Sequence, residues 1–314
     1  MQILVDELLT TALERQIPHL SRSLDGKAIK HLIDHTYVPI FQWINDLLDR
    51  NHSSEHHKCT VIGLSCVQGG GKTTACSILK AGFNAIGKKC AVISLDDVYM
   101  SYTDQVHIAK ENSDNPLLQY RGNPGTHDLR LLLDFVRECK QSTKTIPIPA
   151  YDKSCNQGRG DRVPVGLWNR IKGPLDVLLI EGWCLGFHAV ESIQVPSKHL
   201  VPINLELKKF ELLYRELNGL ILFRVSDLAW VYRWREEQEA AMRTAKKPSL
   251  TSAQVKDFVD RYMPSYHLYL EALYNPPKRI AQKHEESLSR INSIPRFVID
   301  IDENRIPLNK FFVE

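Results

Sequence analysis

Apolar residues in the first fifty positions recur every three or four residues: Leu9, Leu13, Ile17 and Leu20, then Ile29, Ile33, Ile40, Ile44 and Leu48. That period lines one helical face and predicts two amphipathic helices, with Pro39 expected to bend the second because proline removes a backbone donor. The pattern stops at "RNHSSEHHK", Arg50 to Lys58, which reads as a linker. From Cys59 the apolar residues gather instead into short continuous runs, "CTVIGLS", "CAVISL", "DVLLI", "LILFRV" and "RFVIDI", separated by stretches long enough for crossover helices. Runs of this kind are strands buried on both faces, so the expected fold is α/β with a mainly parallel sheet flanked by helices. The boundaries drawn are an N-terminal helical extension over 1–57 and the α/β domain over 58–314. "PKRIAQKHEES", Pro277 to Ser287, is the most polar interruption and reads as an excursion.

Composition narrows the class. The chain has 314 residues, 43% hydrophobic and 25% charged, enough for a large core. A formal charge of +3 gives no overall pull toward nucleic acid or membrane, so any anion site must be local. No apolar run reaches membrane-spanning length, and "MQILVDELL" carries acids where a targeting segment would carry bases. A cytoplasmic monomer is expected. The seven scattered cysteines read as reduced thiols. His52, His56, His57 and Cys59 match no standard zinc spacing, which favours the linker.

"GLSCVQGGGKTTACSILKA", Gly63 to Ala81, joins a strand ending at Ser65 to a helix starting near Lys72 through a glycine-rich turn. Successive backbone N–H groups and the positive end of a helix then share one concavity suited to the phosphates of a nucleotide. Gln68, Gly69, Gly70, Gly71, Lys72, Thr73 and Thr74 are the nucleotide-binding candidates. Lys72 would reach the β- and γ-phosphates, and Thr73 would bind Mg²⁺. The usual first glycine of the pattern is Cys66 here; because the donors are main-chain groups, the loop is expected to survive.

A phosphate loop defines a nucleotide site and leaves the reaction open. "SLDDVY" places Asp96 and Asp97 at a strand's carboxyl end, where one acid can accept a proton from an attacking hydroxyl and the other can hold metal-bound water or orient substrate. The bland alternative is a helix N-cap, a role one of them can also fill. "DVLLIEGW" ends in Glu181, positioned to complete the magnesium shell with Thr73. A GTPase switch is disfavoured, since the chain has no Asn-Lys-x-Asp motif and carries Glu181 in "EGW" in place of an Asp-x-x-Gly turn.

The segments "QGGGKTT", "LDDVY", "NPLLQYRGNPGTHDL", "PIPAYDKSCNQGRGDR", "GPLDVLLIEGWCLGF", "WVYRWR", "FVDRYMPSYHLYLEALY" and "VIDIDENRIPL" follow one another between Ile62 and Leu308. In content and order they resemble the D-glycerate 3-kinases of plant and fungal type, within the phosphate-loop kinases that include uridine kinase, pantothenate kinase and phosphoribulokinase. The resemblance implies a P-loop NTPase-type fold, ATP and Mg²⁺, and transfer of the γ-phosphoryl group to a hydroxyl of D-glycerate. It further implies that Asp96 is the base and Asp97 its helper. The acceptor claim rests on "YRGNPGTHDL" and "YDKSCNQGRGDR", where Arg121, His127, Tyr151, Lys153 and Arg162 are, with Tyr99 of "LDDVY", the substrate-binding candidates; Tyr120 and Arg159 are further donors. Within the first segment Thr126 or Asp128 is expected to cap the helix that follows, the cap being the favoured role for Thr126. The stretch 228–252 resembles the lid of this kinase group, with Arg233 and Arg235 expected over the transferring phosphoryl group. Arg235 and Glu239 also sit at ion-pair spacing, and Trp230 and Trp234 share a face expected in the core. The alternatives are a kinase of another small metabolite, such as a nucleoside or pantothenate, and an ATP-binding regulatory protein without transferase activity.

Overall fold

The computed structural model describes residues 7–12, 26–52, 59–247, 249–276 and 290–313. His56 and His57 of the expected linker, and the excursion at 277–287, lie outside them. Residues 7–12 are helical, and α1 (Gly26–Leu32) runs through a π-helical turn, Ile33–Tyr37, into α2 (Val38–His52). The wide turn is marked by the Val38 N–H donating to Ile33 O, five residues back, and it directly precedes Pro39. Proline offers no N–H and its ring crowds the carbonyl four residues earlier, so widening the turn relieves the clash that would otherwise break the helix.

The strands follow the continuous apolar runs closely: β1 (Thr60–Ser65), β2 (Cys90–Ser94), β7 (Val177–Gly182), β8 (Gly219–Arg224) and β9 (Arg296–Ile301). They pair in parallel in the order β2-β7-β1-β8-β9. The sheet is closed by an antiparallel sixth strand, β10 (Pro307–Val313), exposed along most of its length. Between β2 and β7 lie two short ribbons, β3 (Thr145–Pro147) with β6 (Arg170–Lys172), and β4 (Tyr151–Asp152) with β5 (Asp161–Arg162).

Helices cover both faces. Leu220 and Gly63 are register neighbours on one face, where Gly63 has Leu185 and Leu217 against it; Gly219 points to the other, against Trp43 and Leu47 of α2. On that second face α2 meets α3 (Lys72–Ala85), with Phe41 stacked on Phe83 at 4.4 Å between ring centroids, and Trp43 edge-on to Phe297 of β9 at 5.6 Å. The N-terminal helices therefore share one core with the sheet. The first face carries α6 (Leu200–Tyr214) and α9 (Met263–Tyr274), the Tyr214 hydroxyl tying to Gly186 N and Phe187 O. The other helices are α4 (Tyr102–Glu111), α5 (Leu129–Gln141), α7 (Ala229–Thr244) and α8 (Ser252–Asp260). All seven cysteines are free thiols, six of them buried. Among the described residues no helix is long and apolar enough to cross a membrane.

Candidate active site

The chain leaves β1 at the centre of the sheet, turns through Cys66–Gly71 and enters α3 at Lys72. The three glycines are required for different reasons. Gly69 and Gly71 take φ of +80° and +89°, the left-handed region that strains any residue with a Cβ. At Gly70 a Cβ would lie 2.2 Å from the Cys66 sulfur, so the cysteine in the usual first-glycine position fills the space over Gly70 and leaves the loop closed. Burial pushes the Cys66 thiol up to about 11, making it a neutral packing group. The Lys72 ammonium donates to the carbonyls of Cys66 (2.9 Å) and Val67 (3.0 Å). The Gln68 N–H donates to the Tyr266 hydroxyl at 3.0 Å, and Thr74 stands in the first turn of α3.

Thr73 Oγ1 donates to Glu181 Oε1 at 2.8 Å. Glu181 is a buried carboxylate at the end of β7, in register between Leu64 of β1 and Ser94 of β2. A hydroxyl and a carboxylate at a helix N-terminus form an oxygen pair that suits a hard divalent cation.

Beyond Ser94 a single 3₁₀ turn, Leu95–Val98, sets the paired acids apart. Asp97 accepts the Ser94 N–H at 2.9 Å while Ser94 Oγ accepts the Asp96 N–H at 3.1 Å, so Asp97 closes a capping box. Asp96 points away from it: Oδ1 accepts from the Tyr99 hydroxyl at 2.8 Å and Oδ2 accepts from the Lys153 ammonium. Burial works to raise the pKa of Asp96, but Lys153 and Tyr99 outweigh it and hold the carboxyl below the ordinary value. Burial, together with the neighbouring Asp96 charge and only partly opposed by the Ser94 amide, pushes Asp97 up to about 6.

The acceptor-side candidates gather around Asp96. His127 pairs with Tyr99 through a backbone bridge and stacks on its ring at 4.6 Å; burial drives the imidazole down to about 4, so it is neutral near pH 7. Tyr151 meets Tyr99 edge-on, and its hydroxyl accepts from Gln105 at 3.0 Å. Arg162 donates to Tyr99 O (3.1 Å) and Asp128 Oδ2 (3.0 Å). Arg121 donates to the carbonyls of Gly158 (2.8 Å) and Arg159 and lies over the Tyr151 ring. Arg159 in turn bonds Gln119 O at 3.0 Å and lies over the Tyr120 ring at 5.1 Å. Of the two expected caps of α5, Asp128 is the one formed, its Oδ1 accepting the Leu131 N–H at 2.9 Å, and the expectation for Thr126 is corrected. Thr126 is buried two residues earlier and ties the preceding turn, accepting from Gly122 N and donating to Asn123 O, because at its position the chain has not yet reached the helix axis.

In the stretch expected to form a lid, α7 ends at Thr244 and α8 begins at Ser252, leaving a break between them. Arg235 pairs with the buried Glu239, donates to Gln238 Oε1 at 3.1 Å and lies over Phe258 at 4.6 Å. Glu239 Oε2 also accepts the Leu250 N–H at 2.7 Å, fastening the far side of the break. Arg233 pairs with Glu303 at 2.6 Å. Trp234 is buried, whereas Trp230 is only partly so.

Glu303 and Arg305, which the sequence pattern left without a role, form with Trp234 the outer wall of the phosphate loop. The turn between β9 and β10, closed by Arg305 N–H to Asp302 O, brings Arg305 Nε to Gly69 O at 2.7 Å. Arg305 lies over the Trp234 ring at 4.8 Å, Trp234 Nε1 donates to Glu303 O at 2.7 Å, and a Cβ on Gly69 would meet the Trp234 Cβ at 2.6 Å. On the acceptor side a Cβ at Gly122 would strike the Tyr262 hydroxyl, and Trp183 Nε1 donates to Gly122 O at 3.1 Å. The turn composition of "DENR" was a readable signal for a hairpin, though not for where the hairpin would land.

A glycine cradle at the carboxyl end of a central parallel strand, with an acid at each of the next two strand ends, defines a phosphate-loop protein of the kinase type. Residues 61–197 match the phosphoribulokinase / uridine kinase family. The chain is 36% identical over 285 residues to the chloroplastic D-glycerate 3-kinase of Arabidopsis thaliana, covering 87% of this chain and 60% of that one; it thus spans less than two thirds of that relative. It is 33% identical over 293 residues to a probable ATP-dependent kinase of Saccharomyces cerevisiae, covering 88% and 94% of the two chains. The solved D-glycerate 3-kinase of Cryptococcus neoformans var. grubii is similar with a TM-score of 0.73 and 26% identity over 88% of this chain and 98% of that one. The chain belongs to the D-glycerate 3-kinase family of P-loop kinases.

Proposed function

We propose that the protein is an ATP-dependent kinase that transfers the γ-phosphoryl group to a hydroxyl of D-glycerate. The observation that carries this reading is the juxtaposition of Asp96 with Lys153. A carboxylate on the strand end beside Glu181 meets a cation from the segment that resembles the glycerate kinases, so a proton acceptor and an anion partner stand together next to the phosphate loop. The Arabidopsis and Cryptococcus relatives, both D-glycerate 3-kinases, agree with it.

The backbone N–H groups of Gly69–Lys72 and the N-terminal end of α3 cradle the phosphates, and Lys72 turns from the Cys66 and Val67 carbonyls onto the γ-phosphate. Thr73 and Glu181 would hold Mg²⁺, which when bound would offset the charge of the nucleotide's phosphates. Tyr99, Tyr151, Arg121, His127, Lys153 and Arg162 form the acceptor pocket, with the three cations and tyrosines setting its shape and polarity. Asp96 takes the hydroxyl proton as the new oxygen–phosphorus bond forms and the bond to ADP breaks. Asp97 fixes the turn that aims it. The lid brings Arg235 toward the phosphoryl group, exchanging Glu239 for it, and excludes water. Rates are expected to come mostly from positioning and charge neutralisation.

ADP release with Mg-ATP and D-glycerate, uridine, pantothenate or no acceptor tests this directly. D-glycerate should exceed the others by at least about 100-fold in kcat/KM, a difference reachable when a site built for polar groups is left unpaired. A preference for uridine or pantothenate would reassign the acceptor, and no acceptor-dependent release would favour a regulatory ATP-binding protein.

A further inference from the structure

Four cations from the segments 119–128 and 151–162 surround the acceptor side, and they are not equivalent. Arg121 is bound to the carbonyls of Gly158 and Arg159, Arg159 to the Gln119 carbonyl, and Arg162 to the Tyr99 carbonyl and the Asp128 carboxylate. These partners are fixed parts of the framework, so the three guanidinium groups brace the loops. Lys153 differs: its hydrogen-bonded partner is Asp96, the carboxylate assigned as base.

In this arrangement Asp96 is silenced. One oxygen is held by Tyr99 and the other by Lys153, and the ammonium lowers the carboxylate's affinity for a proton, which is the property a base needs. The pair is also easy to part. The Lys153 side chain is 55% exposed and that of Asp96 33%, and ion pairs open to water gain little from remaining together. The backbone around Lys153 is meanwhile fixed: β4 pairs with β5, and Asp152 Oδ1 accepts from both Ser154 N (2.8 Å) and Ser154 Oγ (2.6 Å). Motion therefore falls to the four-carbon side chain, which can swing without moving the loop.

We propose that Lys153 gates the base: it masks Asp96 until an acceptor that carries its own carboxylate draws the ammonium away, so one residue both selects hydroxy acids over neutral alcohols and releases the catalytic group. This rests on the kinase reading above. In the released state the acceptor's hydroxyl proton passes to Asp96, its oxygen bonds to the γ-phosphorus, and ADP departs with the electrons of the broken bond. Glycerol, which has the hydroxyls of glycerate without the anion, leaves Lys153 in place. Water does the same, so the gate also restrains wasteful hydrolysis of ATP.

Lys153→Met keeps an unbranched side chain one atom shorter and removes its charge at an exposed position. ADP release is measured with D-glycerate, with glycerol and with no acceptor. The variant is expected to lose about 10- to 100-fold in kcat/KM for D-glycerate, mostly as a higher KM, the scale of one charge-assisted hydrogen bond. Its turnover of glycerol, and its acceptor-free ADP release, should rise several-fold because the base is unmasked. Lys153→Arg, which keeps the charge, should retain most of the preference for the acid. A glycerol rate that stays level or falls in Lys153→Met overturns the gate, as does an Arg variant that loses the preference as fully as the Met variant. Failure of the wild-type protein to turn over D-glycerate would be a different result, removing the acceptor reading itself and the gate with it.

Discussion

The loop from Cys66 to Thr73 and the ring of segments around Asp96 occupy neighbouring strand ends, yet they are assembled in different ways. In the first, consecutive residues supply the working groups, and glycine dihedrals and the ends of one strand and one helix set their geometry. In the second, side chains arrive from 96–99, 119–128, 151–162, 183 and 262, bonded to one another across long stretches of chain. A site made of backbone is local, so its pattern is compact and its tolerance for side chains small. A site made of side chains distributes its geometry over many bonds, and each cation in it can be either a ligand or a brace.

The largest effect expected to test this contrast is on the chemical step. Asp96→Asn should lower kcat by about 10² to 10⁴, the usual contribution of a carboxylate base, with little change in the KM for ATP. Steady-state kinetics with ATP and D-glycerate varied separately would reverse the assignment if Asp97→Asn were the variant that lost turnover.

Next in size is the nucleotide side. Gly69→Ala meets both a left-handed backbone and the Trp234 Cβ at 2.6 Å, whereas Gly71→Ala meets only the backbone, with open space around it. Each should cost about 1–3 kcal/mol in urea unfolding, Gly69→Ala the more, and the KM for ATP should rise while that for D-glycerate holds. Equal changes in both KM values would break the separation of the two sides.

The smallest effect concerns Asp97 and pH. Its pKa is raised to about 6 in the folded chain against about 3.9 in the unfolded one, so the folded state binds the extra proton between those values. The favourable contribution is complete below the unfolded pKa and is lost as pH rises through the folded one. Asp97→Asn, which keeps an acceptor for the Ser94 N–H without the charge, should therefore match wild type near pH 4 and melt about 1–4 °C higher near pH 7. A gain at pH 4 as large as that at pH 7 would mean that the charge is not the cause.

The same contrast explains what was legible in the sequence. Strands β1, β2, β7, β8 and β9 were readable to within a residue or two because burial on both faces leaves an unbroken apolar run. β10 was not, since an exposed edge strand carrying Asn309 and Lys310 has no burial to impose a period. The π-helical turn at Ile33–Tyr37 was visible only as a bend expected at Pro39. In the site, Cys66 looked like a defect in the glycine pattern, and only its contact with Gly70 reveals the compensation. Arg121, Arg159 and Arg162 were legible as cations, but whether a guanidinium faces a ligand or a carbonyl depends on chain folded from elsewhere. Thr126 and Asp128 were both plausible caps by composition, and the hydrogen bond to Leu131 distinguishes them.

The contact between Arg305 and Gly69 joins groups 236 positions apart. At roughly 5–20 residues per second, a ribosome needs on the order of ten to fifty seconds to travel that distance. The glycine loop is therefore made early and remains without its outer wall until the Trp234 indole and the last hairpin emerge. β1 likewise waits for β7 and β8 before it becomes an interior strand, a long-range order of assembly that slows folding. A nascent chain carrying every residue of the phosphate-binding motif would thus still lack the finished cradle.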